Sequence, residues 1–314
     1  MSGPSAPVIA VMGATATGKS ALGVRLARAI GGEVVSMDSR QVYRGMDIGT
    51  GKITPEERGE VPHHLLDILS PDEAGSAGRH AEMALEAMRD IARRGRVPLL
   101  VGGTGLYFDA VFRPFIDLGV SDDAIAEIRA GFEGRSNEQL YDELSRVDAS
   151  RAAQLSPNDR VRITRALEVF RATGVPMSEH IGAQPAESRS GLGRALKLVL
   201  TMPRAALRDR IERRTHAMYE AGWVAEVSGL IERGYGPGCP GMKSLGYEEI
   251  AAALTEGADP EATVSDVITR THQYAKRQET YFRREADAVW LDVTAHDYPA
   301  VAGTLVEEFL AHAE

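Results

Sequence analysis

Eight residues near the amino terminus carry the clearest chemistry in the chain. Gly13, Ala14, Thr15, Ala16, Thr17, Gly18, Lys19 and Ser20 follow an apolar run at 7–12 and lead into an amphipathic stretch. Two glycines at this spacing before Lys-Ser, between a strand and a helix, form a phosphate cradle. The glycines let successive N–H groups turn inward, and the helix start adds positive potential. Lys19 is placed to reach outer phosphates, and the Ser20 hydroxyl to ligate Mg²⁺. The alternative, an ordinary Gly-rich turn, leaves the Lys-Ser pair without a purpose. The pattern predicts binding of a di- or triphosphate.

Two further segments can act on what the cradle holds. An expected strand over 33–37 ends in Asp38-Ser39-Arg40-Gln41. The carboxyl ends of parallel strands form the ligand crevice, so Asp38 is expected beside the phosphates as a base, with a loop-capping role as the plain alternative. The strand at 97–101 runs into Gly102-Gly103-Thr104-Gly105. A P-loop NTPase often has a metal-holding acid there. Glycines in its place suggest close approach of something to the backbone, with the Thr104 hydroxyl available to it. These pieces suit phosphoryl transfer to a small metabolite, and equally a group transfer in which diphosphate departs. A nucleotide switch is disfavoured, since no Asn-Lys-x-Asp guanine-reading motif is present.

These groups need a scaffold. The expected architecture is α/β: a P-loop NTPase-like parallel sheet core flanked by helices, with an all-helical insertion domain. Helical periodicity covers 76–94, 122–134, 136–147, 158–173, 203–219, 222–233, 246–256, 260–284 and 298–312, and strands are expected at 196–201 and 289–292. The catalytic core is assigned to 1–116 plus 191–314, and the insertion to 117–190, with a Pro/Ser/Gly-rich linker at 182–193. The Gly- and Pro-bearing stretch 45–62 reads as a mobile loop. His63-His64 lacks a third metal ligand at sensible spacing.

The 314 residues are 43% hydrophobic and carry a net charge of −9, a soluble composition. No apolar run reaches membrane-span length, the start lacks signal-peptide character, and the single Cys239 rules out an internal disulfide. A cytoplasmic protein is expected, and nothing demands more than a monomer. The acidic average hides three arginine-rich segments, 151–171, 204–214 and 270–284, each with a basic excess. Such runs are often solvated helix faces, but three of them allow an anionic polymer as partner.

GATATGKS at 13–20, DSRQVYRGMDIGTGK at 38–52, PHHLLDI at 62–68, LLVGGTGLYF at 99–108, NDRVRITRALEVF at 158–170 and AKRQETYFRR at 275–284 together resemble the tRNA dimethylallyltransferase (isopentenyltransferase) family, bacterial type, over nearly the whole chain. The resemblance implies Mg²⁺-assisted transfer of a dimethylallyl group from its diphosphate to the exocyclic N6 amine of the adenine 3′ of the anticodon. It implies that Asp38 is the base, that Thr104 lines the reaction channel, and that Arg214 clamps the diphosphate with Lys19, Ser20 and Thr15. Asp38, Ser39, Arg40 and Gln41 would touch a flipped-out adenine. Thr104, Arg162, Arg165, Lys243, Tyr247, Lys276, Arg277, Gln278 and Arg283 would contact the anticodon stem-loop, gripped by the insertion. The single cysteine excludes the zinc finger of eukaryotic members.

Overall fold

The structure, a computed structural model, describes residues 6–113, 122–183 and 194–312. In chain order its elements are β1 (Val8–Gly13), α1 (Lys19–Ile30), β2 (Glu33–Ser36), α2 (Pro55–Arg58), β3 (His63–His64), α3 (Ala77–Arg93), β4 (Pro98–Gly102) and α4 (Gly105–Phe112). Then come α5 (Asp122–Ala130), α6 (Asn137–Val147), α7 (Ala149–Ala152), α8 (Arg160–Thr173) and α9 (Met177–Ala183). The chain continues through β5 (Ala195–Thr201), α10 (Arg204–Glu220), α11 (Trp223–Glu232), α12 (Tyr247–Glu256), α13 (Val264–Phe282), β6 (Val289–Asp292) and α14 (Tyr298–Ala311). It divides into two compact units, one of Met1–Phe112 with Arg189–Glu314, the other Arg113–Ser188. The expected linker lies, from 184 onward, outside the described residues.

The first unit is built on a six-stranded sheet in the order β3-β2-β4-β1-β5-β6, and every pair is parallel. The six residues of β1 and the five of β4 are all buried. Strands covered on both faces read as continuous apolar runs, which is why they were visible in the sequence. On one side, Ile9, Val11, Leu99, Val101 and Leu198 pack with Leu22 and Leu26 of α1 and Val306 of α14. A second cluster joins Val42, Tyr43 and Met46 to Trp223, Val227, Tyr247 and Val267. The chain leaves central β1 for β2, two places away, so a crevice opens at the carboxyl ends of β1, β2 and β4. The second unit is all-helical, around Phe132, Leu140, Leu144, Ile163 and Leu167.

The stretch 45–62 differs from expectation. Thr54 and Glu57 form a capping box with Pro55 in the first turn of α2. The buried Lys52 donates to the Tyr43 carbonyl (2.8 Å) and pairs with Asp47 (2.6 Å) and Asp67 (2.5 Å). This segment is tied down at several points rather than free.

At the amino end of β2, the Glu33 side chain is buried to 1% exposure between Arg94, Arg96 and His64 (2.7 Å). Chiefly the hydrogen bonds from Arg94 hold its carboxyl down to about 2, from an ordinary 4.5. A carboxyl with a lowered folded-state pKa contributes stability above its unfolded value and loses it as pH falls. The loss is therefore expected between about pH 4.5 and 2. Glu33→Gln should lower Tm at pH 7 by about 2–6 °C. Thermal melts of the variant should flatten across that acid window; parallel parent and variant curves would exclude this contribution.

Candidate active site

The cradle is shaped by backbone conformations that its sequence permits. Gly13 has φ +146°, and a Cβ there would lie 2.6 Å from the Leu200 carbonyl of β5. Gly18, at φ +92°, precedes α1 as an N-cap without a side-chain cap, leaving first-turn N–H groups for a ligand. Ala16 holds φ +64° without being glycine, a local strain of the kind found at functional loops. The buried Thr17 hydroxyl donates to the Ala14 carbonyl at 2.8 Å, and Lys19 Nζ donates to the same carbonyl at 2.6 Å. Burial pushes the Lys19 ammonium down to about 8, with Asp38 opposing the shift and Arg214 adding to it.

Asp38 stands two residues past β2. Its Oδ1 accepts from the N–H groups of Arg40 (2.8 Å) and Gln41 (3.3 Å), while Oδ2 has no hydrogen-bond partner among the described residues. The capping role is thus present, and it occupies one oxygen only. Behind it, Thr104 Oγ1 accepts from the Ser39 N–H (3.0 Å) and donates to the Ser39 hydroxyl (3.3 Å). Thr104 therefore fixes the chain that carries Asp38.

The glycines around Thr104 are explained by protein neighbours, not by a ligand. A Cβ on Gly102 would meet the Met37 carbonyl at 2.1 Å, one on Gly103 the Gln278 amide at 2.4 Å, and one on Gly105 the Tyr281 ring at 2.2 Å. The expected close approach is real, but α13 and the end of β2 make it.

Arg214, on α10, donates to the Thr15 hydroxyl at 3.1 Å. Burial lowers the pKa of its guanidinium, Asp38 counters this and Arg210 reinforces it. Arg210 lies one helical turn away on the same face. A Cβ on Gly18 would be 3.8 Å from its guanidinium. Arg210 was overlooked, although its i, i+4 relation to Arg214 was readable. Tyr274 was missed as well. Burial, then the charge of Asp38, pushes its hydroxyl up to about 12.

One cleft of about 780 Å³ in the first unit gathers most of these groups. From the cradle it takes Thr15, Ala16, Gly18, Lys19 and Ser20; from the β2 end Asp38, Arg40 and Gln41; from the helices Arg214 and Arg277; and between helices Lys243. Lys276 and Arg283 lie exposed on α13 and at its end. Two expected tRNA contacts are corrected. Tyr247 is fully buried, its ring edge-to-face with Trp223 and its hydroxyl donating to Glu226. Gln278 is buried too, accepting from Thr15 N–H (2.8 Å) and donating to the Gly103 carbonyl (2.8 Å). Both border the cleft, but their polar ends are engaged by protein.

In the helical unit, Arg162 pairs with Asp159 at 2.9 Å and Arg165 with Glu168 at 3.2 Å. Arg160 donates to the carbonyls of Phe132 and Arg135, and Arg171 pairs with Glu143. The basic excess counted from sequence is therefore partly used to hold the unit together. Among the described residues, no three His, Cys, Asp or Glu side chains converge as a metal site, and no helix is long and apolar enough to cross a membrane.

Comparison with known proteins points one way. The chain matches the IPP transferase family over residues 41–285 and the isopentenyl transferase family over 6–67. It is 43% identical to a tRNA dimethylallyltransferase of Roseiflexus sp. over 97% of this chain and 99% of that one. It is 39% identical to tRNA dimethylallyltransferase 1 of Pelobacter propionicus over the full length of both. Among solved structures, the tRNA isopentenylpyrophosphate transferase of Bacillus halodurans aligns at TM-score 0.72 and 36% identity, covering 98% of this chain and 97% of that one. A eukaryotic dimethylallyltransferase acting on tRNA aligns at 0.84 and 28% identity, covering 98% and 80%. The match runs over the full length and agrees in sequence and in fold, and the chain therefore belongs to the tRNA dimethylallyltransferase family.

Proposed function

We propose that this chain transfers a dimethylallyl group from dimethylallyl diphosphate to the exocyclic N6 amine of the adenine 3′ of the anticodon in tRNA. The observation that carries this reading is the single cleft in which Lys19, Arg214 and Asp38 lie within one another's fields. In the reaction the allylic C–O bond breaks, its electron pair leaves with the diphosphate, and the amine nitrogen bonds to the allylic carbon. Charge then grows on the departing oxygens, where Lys19, Arg214 and the cradle N–H groups neutralise it. The adenine amine is a weak nucleophile because its lone pair is delocalised into the ring. A carboxylate taking its proton as the C–N bond forms removes that obstacle. Asp38 Oδ2 is the atom assigned to it, because Oδ1 is already committed to the turn.

Ser20, the second residue of α1, fits a Mg²⁺ ion carried in on the diphosphate, since that ion commonly keeps its waters and takes few protein ligands. When bound, it supplies further neutralisation of the leaving group. Asp38, Ser39, Arg40 and Gln41 are assigned to the flipped-out adenine. Thr104 is assigned to holding Asp38 beside it. Lys243, Lys276, Arg277 and Arg283 are assigned to the tRNA backbone, with Arg162 and Arg165 of the helical unit, whose acidic partners leave them exposed or half-exposed. A monomer working in the cytoplasm suffices for this chemistry. Incubating the protein with tRNA, Mg²⁺ and either dimethylallyl diphosphate or ATP, followed by nucleoside mass analysis, separates prenyl from phosphoryl transfer. A phosphorylated product would overturn the reading.

Asp38→Asn keeps the size and the turn-accepting oxygen but removes basicity. Single-turnover transfer should fall roughly 10²–10⁴-fold while both ligands bind within a few-fold of the parent. Near-parent transfer at saturation would remove Asp38 from the role of base. Joint loss of thermal stability and of both ligands would make it a cap alone.

Diphosphate binding should also depend on pH through Lys19. With its free-state pKa at about 8, anion binding favours the ammonium and raises that value. Its contribution to affinity is complete below about pH 8 and declines above it. The ratio of Kd for inorganic diphosphate between Lys19→Met and parent should shrink as pH rises from 7.5 to 9.5. A ratio constant over that range would contradict this role.

Binding of the anticodon stem-loop should weaken steeply with salt, since neutralised phosphates release counterions. Arg277→Ala should reduce the log–log slope by about 1. An unchanged slope would take Arg277 out of the backbone contacts.

A further inference from the structure

Arg214 can clamp a diphosphate only if its guanidinium is held against the cradle. The wall behind it is the loop at 47–51. Gly51, at φ +57°, faces the guanidinium so closely that a Cβ would lie 1.8 Å from Nη2 and 2.9 Å from Cζ. Arg214 is thus confined between Gly51 and Thr15, to which it donates at 3.1 Å.

The loop is in turn cast on the first turn of α11. One carboxylate, that of Glu226, takes four donors. Oε2 accepts from the N–H groups of Asp47 (2.9 Å) and Ile48 (2.8 Å). Oε1 accepts from Gly49 N–H (3.4 Å) and the Tyr247 hydroxyl. Three residues earlier, Trp223 fills the space that a side chain at 49 would need, 1.9 Å from a Cβ there. Past this anchor, the Gly51 N–H donates to the Ile48 carbonyl at 2.9 Å. The Gln41 amide donates to the Gly51 carbonyl at 3.2 Å. A carboxylate suits this site because it accepts on both oxygens, as backbone N–H clusters demand. An amide would turn two donors of its own toward them.

We infer that Glu226 is a positioning residue for the diphosphate clamp, acting through residues 47–51 on Arg214. The inference rests on the reading of Arg214 given above. Glu226→Gln should weaken inorganic diphosphate binding by about tenfold in calorimetric titration with Mg²⁺. Its Kd for the anticodon stem-loop should stay within about twofold, a selectivity that a general packing defect lacks. In the Arg214→Ala background the same substitution should cost less than about twofold more, because the residue it positions is gone. Gly51→Ala offers a second route should Glu226→Gln not fold, since it displaces the guanidinium without touching α11. It should lose diphosphate affinity to the same extent and be equally non-additive. Additive losses, or full diphosphate affinity in the folded variants, would overturn the inference. If Arg214→Ala itself binds diphosphate as the parent does, the clamp reading fails first and this inference with it.

Discussion

The side-chain amide of Gln278 joins two loops that the sheet alone leaves apart. Parallel strands fix β1 and β4 by their backbone ladders, but the ladders end at Gly13 and Gly102. Beyond them the chain must be held by something else. Gln278 accepts from Thr15 N–H on one side and donates to the Gly103 carbonyl on the other, at 2.8 Å each. A buried amide satisfied at both ends is rigid, since either loop can move only by leaving a polar group unpaired. Asp38 is then hung from the same frame, through Thr104 and Ser39. The cradle and the carboxylate keep a common geometry because α13 spans both.

Positive charge in the cleft exceeds negative, and Asp38 tempers it without cancelling it. Lys19 and Arg214 both suffer from burial and from positive neighbours, and both are relieved by Asp38. A cleft with more cation than anion is costly to maintain, and in the proposed reaction it complements a diphosphate whose charge increases as its bond to carbon breaks. Arginine suits the outer position, because its planar fork meets phosphate oxygens in pairs and keeps its charge when desolvated.

The parts legible in the sequence were those whose meaning is local. The cradle spacing, the apolar runs of β1 and β4 and the periodicity of α3 depend on neighbours within a few residues, so the fold class and the place of Asp38 could be read directly. The capping box of Thr54 and Glu57 was equally local but was obscured by surrounding glycine and proline. What could not be read was decided over long range. Polar Gln278 sits among basic residues on α13, and only the folded packing shows it turned inward beneath them. Tyr247 looked available until Trp223 and Glu226 enclosed it. Counting arginines by segment overstated the free charge, because Arg160 and Arg171 are occupied by carbonyls and by Glu143 within their own unit.

The glycines at the end of β4 show how a phosphate-binding scaffold can be turned from phosphoryl to prenyl transfer. A kinase of this architecture keeps a metal-holding acid at that strand end. Here Gly102 lies under the Met37 carbonyl and Gly103 under Gln278, so no side chain can occupy either position without moving backbone or the bridging amide. Phosphoryl transfer needs metal and charge concentrated on the phosphorus being attacked. Loss of an intact diphosphate needs the leaving oxygens held and the electrophilic carbon exposed to a nucleophile from the far side. Moving the carboxylate from β4 to the end of β2 meets the second need. In the reaction proposed above, this leaves the cradle to the departing diphosphate and the β2-end carboxylate to the amine proton.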